Sequence, residues 1–446
     1  MTLTRRLQAP IVLPADTTFS VIRDGVVDVT DNGRISYCGP RTDAPPAPPG
    51  APTENLTGIL MPGLVNTHAH SAMTPLRGAG GDRPLIPWLH EVIWPAEARM
   101  RAQDAQAGML LGSLEMLRHG ITTSAEMYMH GESVVEAALA VGNRILMAPA
   151  YFDRPGEGWR NALAAIGRWI DSDGLRFGPG DRIELCYGPH SAYSLPKDAL
   201  SATADAAASR GALVHIHVAE TEAEDQALRA IHGSVPQLLA DTGLMDGRLL
   251  AAHAVHLSGH DIRLLADNSV GVAHCPGSNA KLASGTARLA ALRAASVHVG
   301  LGTDGPASND DLDLWEEMRL AMMFARTNAR DPLALTGRDA LLMATRLGAT
   351  ALGRLDIGRL EAGAWADVIH VGVDGPYFAA GIDVADEHLL ANLVWGAGAR
   401  AVQDVWVAGE KVVARKQPLR VDPVEAQWAV GRAAAHMLPG MLRPRA

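Results

Sequence analysis

The sequence predicts an α/β protein: a (β/α)8 barrel of the TIM type, carrying a small β-sandwich formed by the N- and C-terminal segments. Three observations predict it. Between residue 61 and about residue 355, short apolar runs alternate with amphipathic helical segments, the pattern of a parallel sheet covered by helices. Eight such strand–helix units follow one another, the number that closes a barrel. On either side of this region the alternation gives way to β-type runs with turn signals.

Residues 1–60 form the first flank. The stretch 19–38, FSVIRDGVVDVTDNGRISYC, mixes β-branched residues with Asp-Gly and Asn-Gly turn signals and reads as short antiparallel strands. The Pro- and Ala-rich run 40–55 reads as a loop. In the central region, 61–355, the strands are expected at 63–70, 121–127, 144–151, 182–190, 212–220, 249–257, 269–277 and 296–304. Amphipathic segments such as AQAGMLLGSLEMLRHG (105–120) and DALSATADAAASRG (198–211) lie between them. Residues 356–446 return to β runs, GRLEAGAWADVIHVG and AVQDVWVAGEKVV, before a terminal helix. The two flanks are expected to share one β domain, although two separate β caps would satisfy the same pattern.

The 446 residues are 48% apolar and 20% charged, ordinary for a soluble globular enzyme. No apolar run is long enough to span a bilayer, so no membrane partner is expected. A formal charge of -10 without a basic run argues against nucleic acid. Cys38, Cys186 and Cys275 lie far apart and form no CxxC pair, which suits a reducing cytoplasm.

Ligand-type residues recur at the C-terminal ends of the predicted strands, where barrel active sites are built. Strand 1 ends in His68-Ala69-His70; alternate residues share a face, so both imidazoles can address one ion. Strand 5 carries His215 and His217 with Glu220 following, strand 6 His253 and His256, strand 7 His274, and strand 8 ends at Asp304. Imidazole and carboxylate ligands suit Zn2+ or Fe2+.

On these motifs the chain resembles the amidohydrolase superfamily: PGLVNTHAHSAMTPLRG (62–78), GPHSAYS (188–194), HIHVAET (215–221), AAHAVHL (251–257), AHCPGSNAKL (273–282), GLGTDGPASND (300–310) and IGRLEAGAWADVIHV (357–371). Within it, the likeness is strongest to deaminases of 5-methylthioadenosine and S-adenosylhomocysteine, ahead of triazine hydrolases and cytosine or guanine deaminases. The resemblance implies that His68, His70, His217 and Asp304 hold one divalent ion, most simply Zn2+. It implies that Glu220 shuttles a proton to the ring nitrogen, that His253 orients the attacking water, and that Asp304 passes a proton to the leaving ammonia. No lysine falls on strand 4, where two-metal members carry a bridging one, so a single ion is expected.

The same resemblance implies that the loop 77–98 covers the substrate, with Trp88 packing on it and Glu97 accepting from the ribose hydroxyls. His190 and Ser308 are candidates for contacts to base or sugar, Ser308 being equally suited to cap a helix, and His256 and His274 are expected to brace loops or ligands. Strand 3 ends in Met147-Ala148-Pro149-Ala150-Tyr151, lacking the arginine that holds a homocysteine carboxylate in the resembled enzymes; Arg154 or Arg160 in the next loop could reach an anion, and each is equally suited to be a surface charge. The expected substrate is therefore an adenosine-type nucleoside with a smaller or different 5′ group. The alternative is an amino- or chlorohydrolase of a free purine, pyrimidine or triazine ring. A noncatalytic scaffold would be expected to have lost ligands, and none is missing. A homo-oligomer is implied by resemblance alone.

Overall fold

The computed structural model describes residues 3–153 and 158–439. All eight expected barrel strands form: Leu64–Ala69, Ile121–Tyr128, Arg144–Tyr151, Ile183–Leu185 continued by Gly188–Pro189, Val214–Val218, Leu249–His253, Gly271–His274 and His298–Leu301. The fourth is broken at Cys186 and Tyr187. Neighbouring barrel strands pair in parallel within two arcs, the first four strands and the last four. Backbone bonds close both seams: Tyr187 N–H donates to Leu213 O and His215 N–H to Tyr187 O at one, and Asp304 N–H donates to His68 O at the other. The second closure sets the predicted carboxylate ligand directly beside the His68-Ala69-His70 strand end.

The barrel strands are buried along nearly their whole length, as a parallel sheet covered by helices requires. Covering helices include Ala102–Arg118, Gly131–Val141, Trp159–Asp173, Lys197–Ala208 and Leu314–Ala329.

The two flanks meet in one nine-stranded sheet rather than in two separate caps. The contact is made by Ile59–Pro62, which pairs parallel with Leu3–Val12 on one side and antiparallel with Val368–Val371 on the other. The Asn32-Gly33 turn forms as expected between Ile22–Thr30 and Ile35–Pro40. Gly33 has φ 77°, and a Cβ there would lie 2.2 Å from Ala408 O, so the site requires glycine. Asp24-Gly25, by contrast, lies inside a strand. It falls between the pairs Ala9–Gly25 and Ile11–Arg23, where Pro10 has no N–H to give the ladder.

Ion pairs brace the N-terminal end of the barrel, and one of them fastens it to this sheet. Arg144, at the start of barrel strand 3, is fully buried against Asp367 at 3.0 Å and also donates to Gly180 O and Asp181 O. Glu184 on strand 4 gathers Arg176, Arg248 and Arg354 at 2.8 to 3.0 Å.

Candidate metal centre and substrate cavity

Four histidines and one carboxylate converge at the C-terminal mouth of the barrel. The rings of His70, His217 and His253 lie with centroids 4.6, 5.0 and 5.2 Å from that of His68. Asp304 Oδ1 stands 3.3 Å from His68 Nε2 and 3.2 Å from His70 Nε2, and the Nε2 atoms of His70 and His217 are 3.3 Å apart. Ligand atoms of His68, His70 and Asp304 form one compact donor group, and those of His68, His217 and His253 another.

Hydrogen bonds on the far side of each ring fix which nitrogen faces inward. His70 Nδ1 lies 2.5 Å from Met127 O and His217 Nδ1 2.7 Å from His190 O. A carbonyl accepts only, so each Nδ1 carries the proton and each Nε2 presents its lone pair. His68 Nδ1 contacts His215 Nε2 at 2.7 Å, while His68 Nε2 is buried and makes no hydrogen bond among the described residues. Burial holds His68 neutral, its pKa pushed down to about 3, and it drives His215 and His217 well below the ordinary imidazole value. Burial alone would push the Asp304 carboxyl up, but the His68 and His70 rings beside it outweigh that and hold it well below the usual carboxylate range. His68 and His217 are held neutral by burial; at His70 burial is outweighed by the Asp304 carboxylate, which raises the pKa. With an orphaned buried nitrogen and one ionised carboxylate they make up a donor set that suits a divalent metal ion, which takes the place of the proton on His70. These residues fit such an ion.

Asp304 Oδ2, facing away from the histidines, accepts from Ser278 Oγ at 2.5 Å and Ser308 Oγ at 2.8 Å. Ser308 thus touches the carboxylate while lining the cavity, and it caps no helix, since the next one is capped by Asp313. Glu220 is buried, with Oε2 3.8 Å from His253 Nε2, and burial raises its pKa. His253 and Asp304 both sit in the left-handed backbone region, φ 70° and 61°, a conformation that side-chain-bearing residues hold only under constraint.

A cavity opens above this floor. Trp88, Glu97, His190, His217, Glu220, His253, Asp304 and Ser308 all line it, joined by Tyr128, Phe152 and Tyr193. The expected loop 77–98 is in fact helical over Leu85–Glu97, with a wide π-type turn at Leu89–Ile93. Apolar residues at 85, 88, 89, 92, 93 and 96 carry that helical period in the sequence. The Trp88 indole N–H donates to Ala79 O at 2.9 Å, fixing its ring in the cavity wall. Glu97 Oε1 accepts from Tyr128 Oη at 2.9 Å. His190 stacks on Phe152, with ring centroids 4.4 Å apart.

Arg160 is the candidate that the structure places elsewhere. It begins the helix Trp159–Asp173, stacks on Trp159 and pairs with Asp198 at 2.8 Å, 70% exposed. A helix start turned to solvent carries it away from the cavity lining, so it cannot replace the absent strand-3 arginine. Arg154 lies outside the described residues. His256 Nε2 bonds Ser284 O at 2.7 Å and so braces a loop, while His274 is buried with Nδ1 unpartnered among the described residues.

Four contributors escaped the sequence reading as individual residues. Ser278 and Asn279 sit in the quoted AHCPGSNAKL run, Tyr193 in GPHSAYS, and Tyr128 ends a strand. Nothing in residue type alone marks them; Ser278, Asn279 and Tyr128 find their partners on other elements of the fold.

Comparisons with known proteins place the chain in a family. The chain is 40% identical over 422 residues to a 5-methylthioadenosine/S-adenosylhomocysteine deaminase of Pelotomaculum thermopropionicum, covering 93% of this chain and 94% of that one. Its fold is similar to that of an adenosine deaminase from Xanthomonas campestris with bound zinc, at 33% identity and TM-score 0.90, covering 98% and 99% of the two chains. An atrazine chlorohydrolase from Arthrobacter aurescens complexed with zinc shares the fold at 24% identity and TM-score 0.86, over 96% of this chain and all of the other. The Amidohydrolase family model matches residues 59–412, from the last N-terminal sheet strand through the barrel and into the C-terminal half of the sheet, and the chain belongs to that family.

Proposed function

We propose that the protein is a hydrolytic deaminase that replaces the 6-amino group of an adenosine-type nucleoside with oxygen, releasing ammonia. One observation carries the reading: a buried acid–base floor of Glu220, His253 and Asp304 shares one cavity with Trp88 and Glu97, groups suited to stack on a purine and to accept from a vicinal diol. Names of the relatives at 40% and 33% identity support the same reaction class.

His68, His70, His217 and Asp304 would hold one zinc ion, which supplies the Lewis acidity that makes water a nucleophile at neutral pH. Burial raises the Glu220 pKa, which favours its role as the acid that delivers a proton to the ring nitrogen as the C6–O bond forms. The His253 imidazole orients the attacking water from one side. Asp304 takes one proton of that water and delivers it to the departing amino group, and the second, on the C6 hydroxyl, returns to Glu220 as the carbonyl forms, so that water and the amine give the oxo product and ammonia. Helix Leu85–Glu97 forms a wall of the cavity and restricts its contact with bulk water.

The cavity lining contains no arginine or lysine among the described residues. Among the described lining residues a 5′ carboxylate meets no cation, and an apolar group such as an alkylthio chain suits the apolar side chains there. Substrate with a small, uncharged 5′ group is therefore part of the reading. So are a homo-oligomeric state and a cytoplasmic setting; the three free thiols, two of them buried, suit the latter.

The test is ammonia release by zinc-loaded protein from adenosine, 5′-alkylthio adenosines, S-adenosylhomocysteine, guanine and cytosine, and chloride release from a chlorotriazine, with Glu220→Gln as the blank. Turnover of 5′-alkylthio adenosines well above S-adenosylhomocysteine, absent from the blank, is expected. Turnover restricted to a free base or triazine would overturn the nucleoside reading. Sedimentation of the same preparation reads the oligomeric state.

A further inference from the structure

Two adjacent side chains, Ser278 and Asn279, reach two different reacting groups. Both belong to the short helix Pro276–Lys281 that follows barrel strand 7, and both are buried. Ser278 Oγ donates to Asp304 Oδ2 at 2.5 Å. Asn279 Oδ1 lies 2.9 Å from His253 Nδ1. The helix is itself held from below: buried Glu317 accepts from Gly277 N at 2.9 Å and from Asn309 Nδ2 at 2.9 Å. A Cβ at position 277 would come within 2.3 Å of Glu317 Oε1 and 2.4 Å of Asn309 Oδ1, so only glycine lets the helix seat this deeply.

We infer that Asn279 is a positioning residue that selects the tautomer of His253, and that Ser278 on the same turn aims the Asp304 carboxylate. This rests on the deaminase reading above for the roles of His253 and Asp304. The amide is placed with Oδ1 toward the ring and Nδ2 buried without a partner among the described residues; in that orientation it can only accept, so His253 carries its proton on Nδ1. Nε2, which faces Glu220 Oε2 at 3.8 Å, is then left with a lone pair directed into the cavity. In the opposite tautomer Nε2 would present a proton to the attacking water and could not accept from it. His253 Nδ1 has no other partner among the described residues, and its φ of 70° leaves the backbone at a strained setting that the amide contact helps to hold. Ser278 works in parallel: with Oδ2 of Asp304 engaged by two hydroxyls, Oδ1 is the oxygen turned toward the histidines.

The experiment compares Asn279→Leu, which keeps the side-chain volume and removes the acceptor, with Asn279→Asp, which keeps the acceptor. Zinc-loaded proteins are assayed on the best nucleoside, and 15N-histidine spectra are recorded, the His253 signals being assigned by their absence from His253→Gln protein. We expect Asn279→Leu to lower kcat by about 10- to 100-fold with KM nearly unchanged, as loss of a ligand-orienting hydrogen bond does elsewhere, and Asn279→Asp to recover most of it. We expect wild-type His253 to show the Nδ1–H tautomer, which Asn279→Leu loses. In the His253→Gln background, Asn279→Leu should cost nothing further, because the two act as one unit. An Nε2–H tautomer in the wild type would overturn the inference, as would equal losses from Asn279→Leu with and without His253. The tautomer is read without turnover, so its outcome stands even if the nucleoside reading fails on the substrate panel.

Discussion

Tyr128→Phe separates a sugar-recognition role for Glu97 from a merely structural one. The Tyr128 ring is buried, and its hydroxyl donates to Glu97 Oε1 at 2.9 Å. Burial, with the Glu97 carboxylate beside it, raises the phenol well above its ordinary pKa, so it remains a donor at any working pH. Removing the hydroxyl leaves the ring's packing intact and takes one fixed donor from the carboxylate. A hydrogen bond to a charged acceptor contributes roughly 1.5–3 kcal/mol, and because Glu97 is half-buried and water can partly replace the donor, the lower end applies, about 1.5 kcal/mol. That corresponds to roughly a tenfold loss in kcat/KM, expressed mainly in KM. The assay is ammonia release from a 5′-alkylthio ribonucleoside and from its 2′,3′-dideoxy counterpart. The ribonucleoside should lose about tenfold while the dideoxy compound changes by less than about twofold, since it makes no diol contact to lose. Equal losses on both substrates would refute the idea that Tyr128 acts through sugar recognition. Glu97→Gln, run beside it, tells the two levels apart: if that variant also fails to discriminate, it is the diol assignment of Glu97 that falls.

His217→Ala should abolish stoichiometric zinc binding while the protein remains folded; metal analysis and circular dichroism check both, and a full zinc complement in the variant would remove His217 from the ligand set. Arg144→Met strips the partner from buried Asp367 at the joint between barrel and sheet, and should destabilise by about 3–5 kcal/mol in denaturant unfolding; a change under about 1 kcal/mol would mean the joint does not depend on that pair. Glu224 is buried and accepts from Glu220 N, and burial raises its carboxyl from 4.5 to about 8. A raised carboxyl pKa favours the protonated form in the fold, so its contribution is complete below about pH 4.5 and is lost as the pH climbs to about 8. Glu224→Gln should therefore gain thermal stability relative to wild type steadily across that window, and a pH-independent difference in Tm would contradict the shift.

The parts of this molecule legible in its sequence share one property: each is set by a repeating local rule. Eight apolar runs with ligand-type residues at their C-terminal ends indicate both the barrel and the edge where its chemistry gathers, because a parallel barrel places every strand end on one rim. His68 and His70 were legible as a pair because the strand period of two aims them together. What escaped depends on seams and partners that no local period encodes. Asp304 comes beside His68 through the bond that closes the last strand on the first, a contact between residues more than two hundred positions apart. The helical wall Leu85–Glu97 had a readable period, but prolines at 87 and 95 obscured it; Pro87 falls in the first turn, where a missing N–H costs little, and Pro95 lies just past the wide π-type turn Leu89–Ile93. Arg160 was misplaced because a loop arginine's reach cannot be read without the direction of the helix it starts. Ser278, Asn279 and Tyr128 are ordinary polar residues until the fold delivers their partners. Candidate metal ligands can be listed from the sequence, therefore, but the orientation of each side chain and of each proton-bearing nitrogen is a property of the closed barrel, and that orientation determines what the site can do.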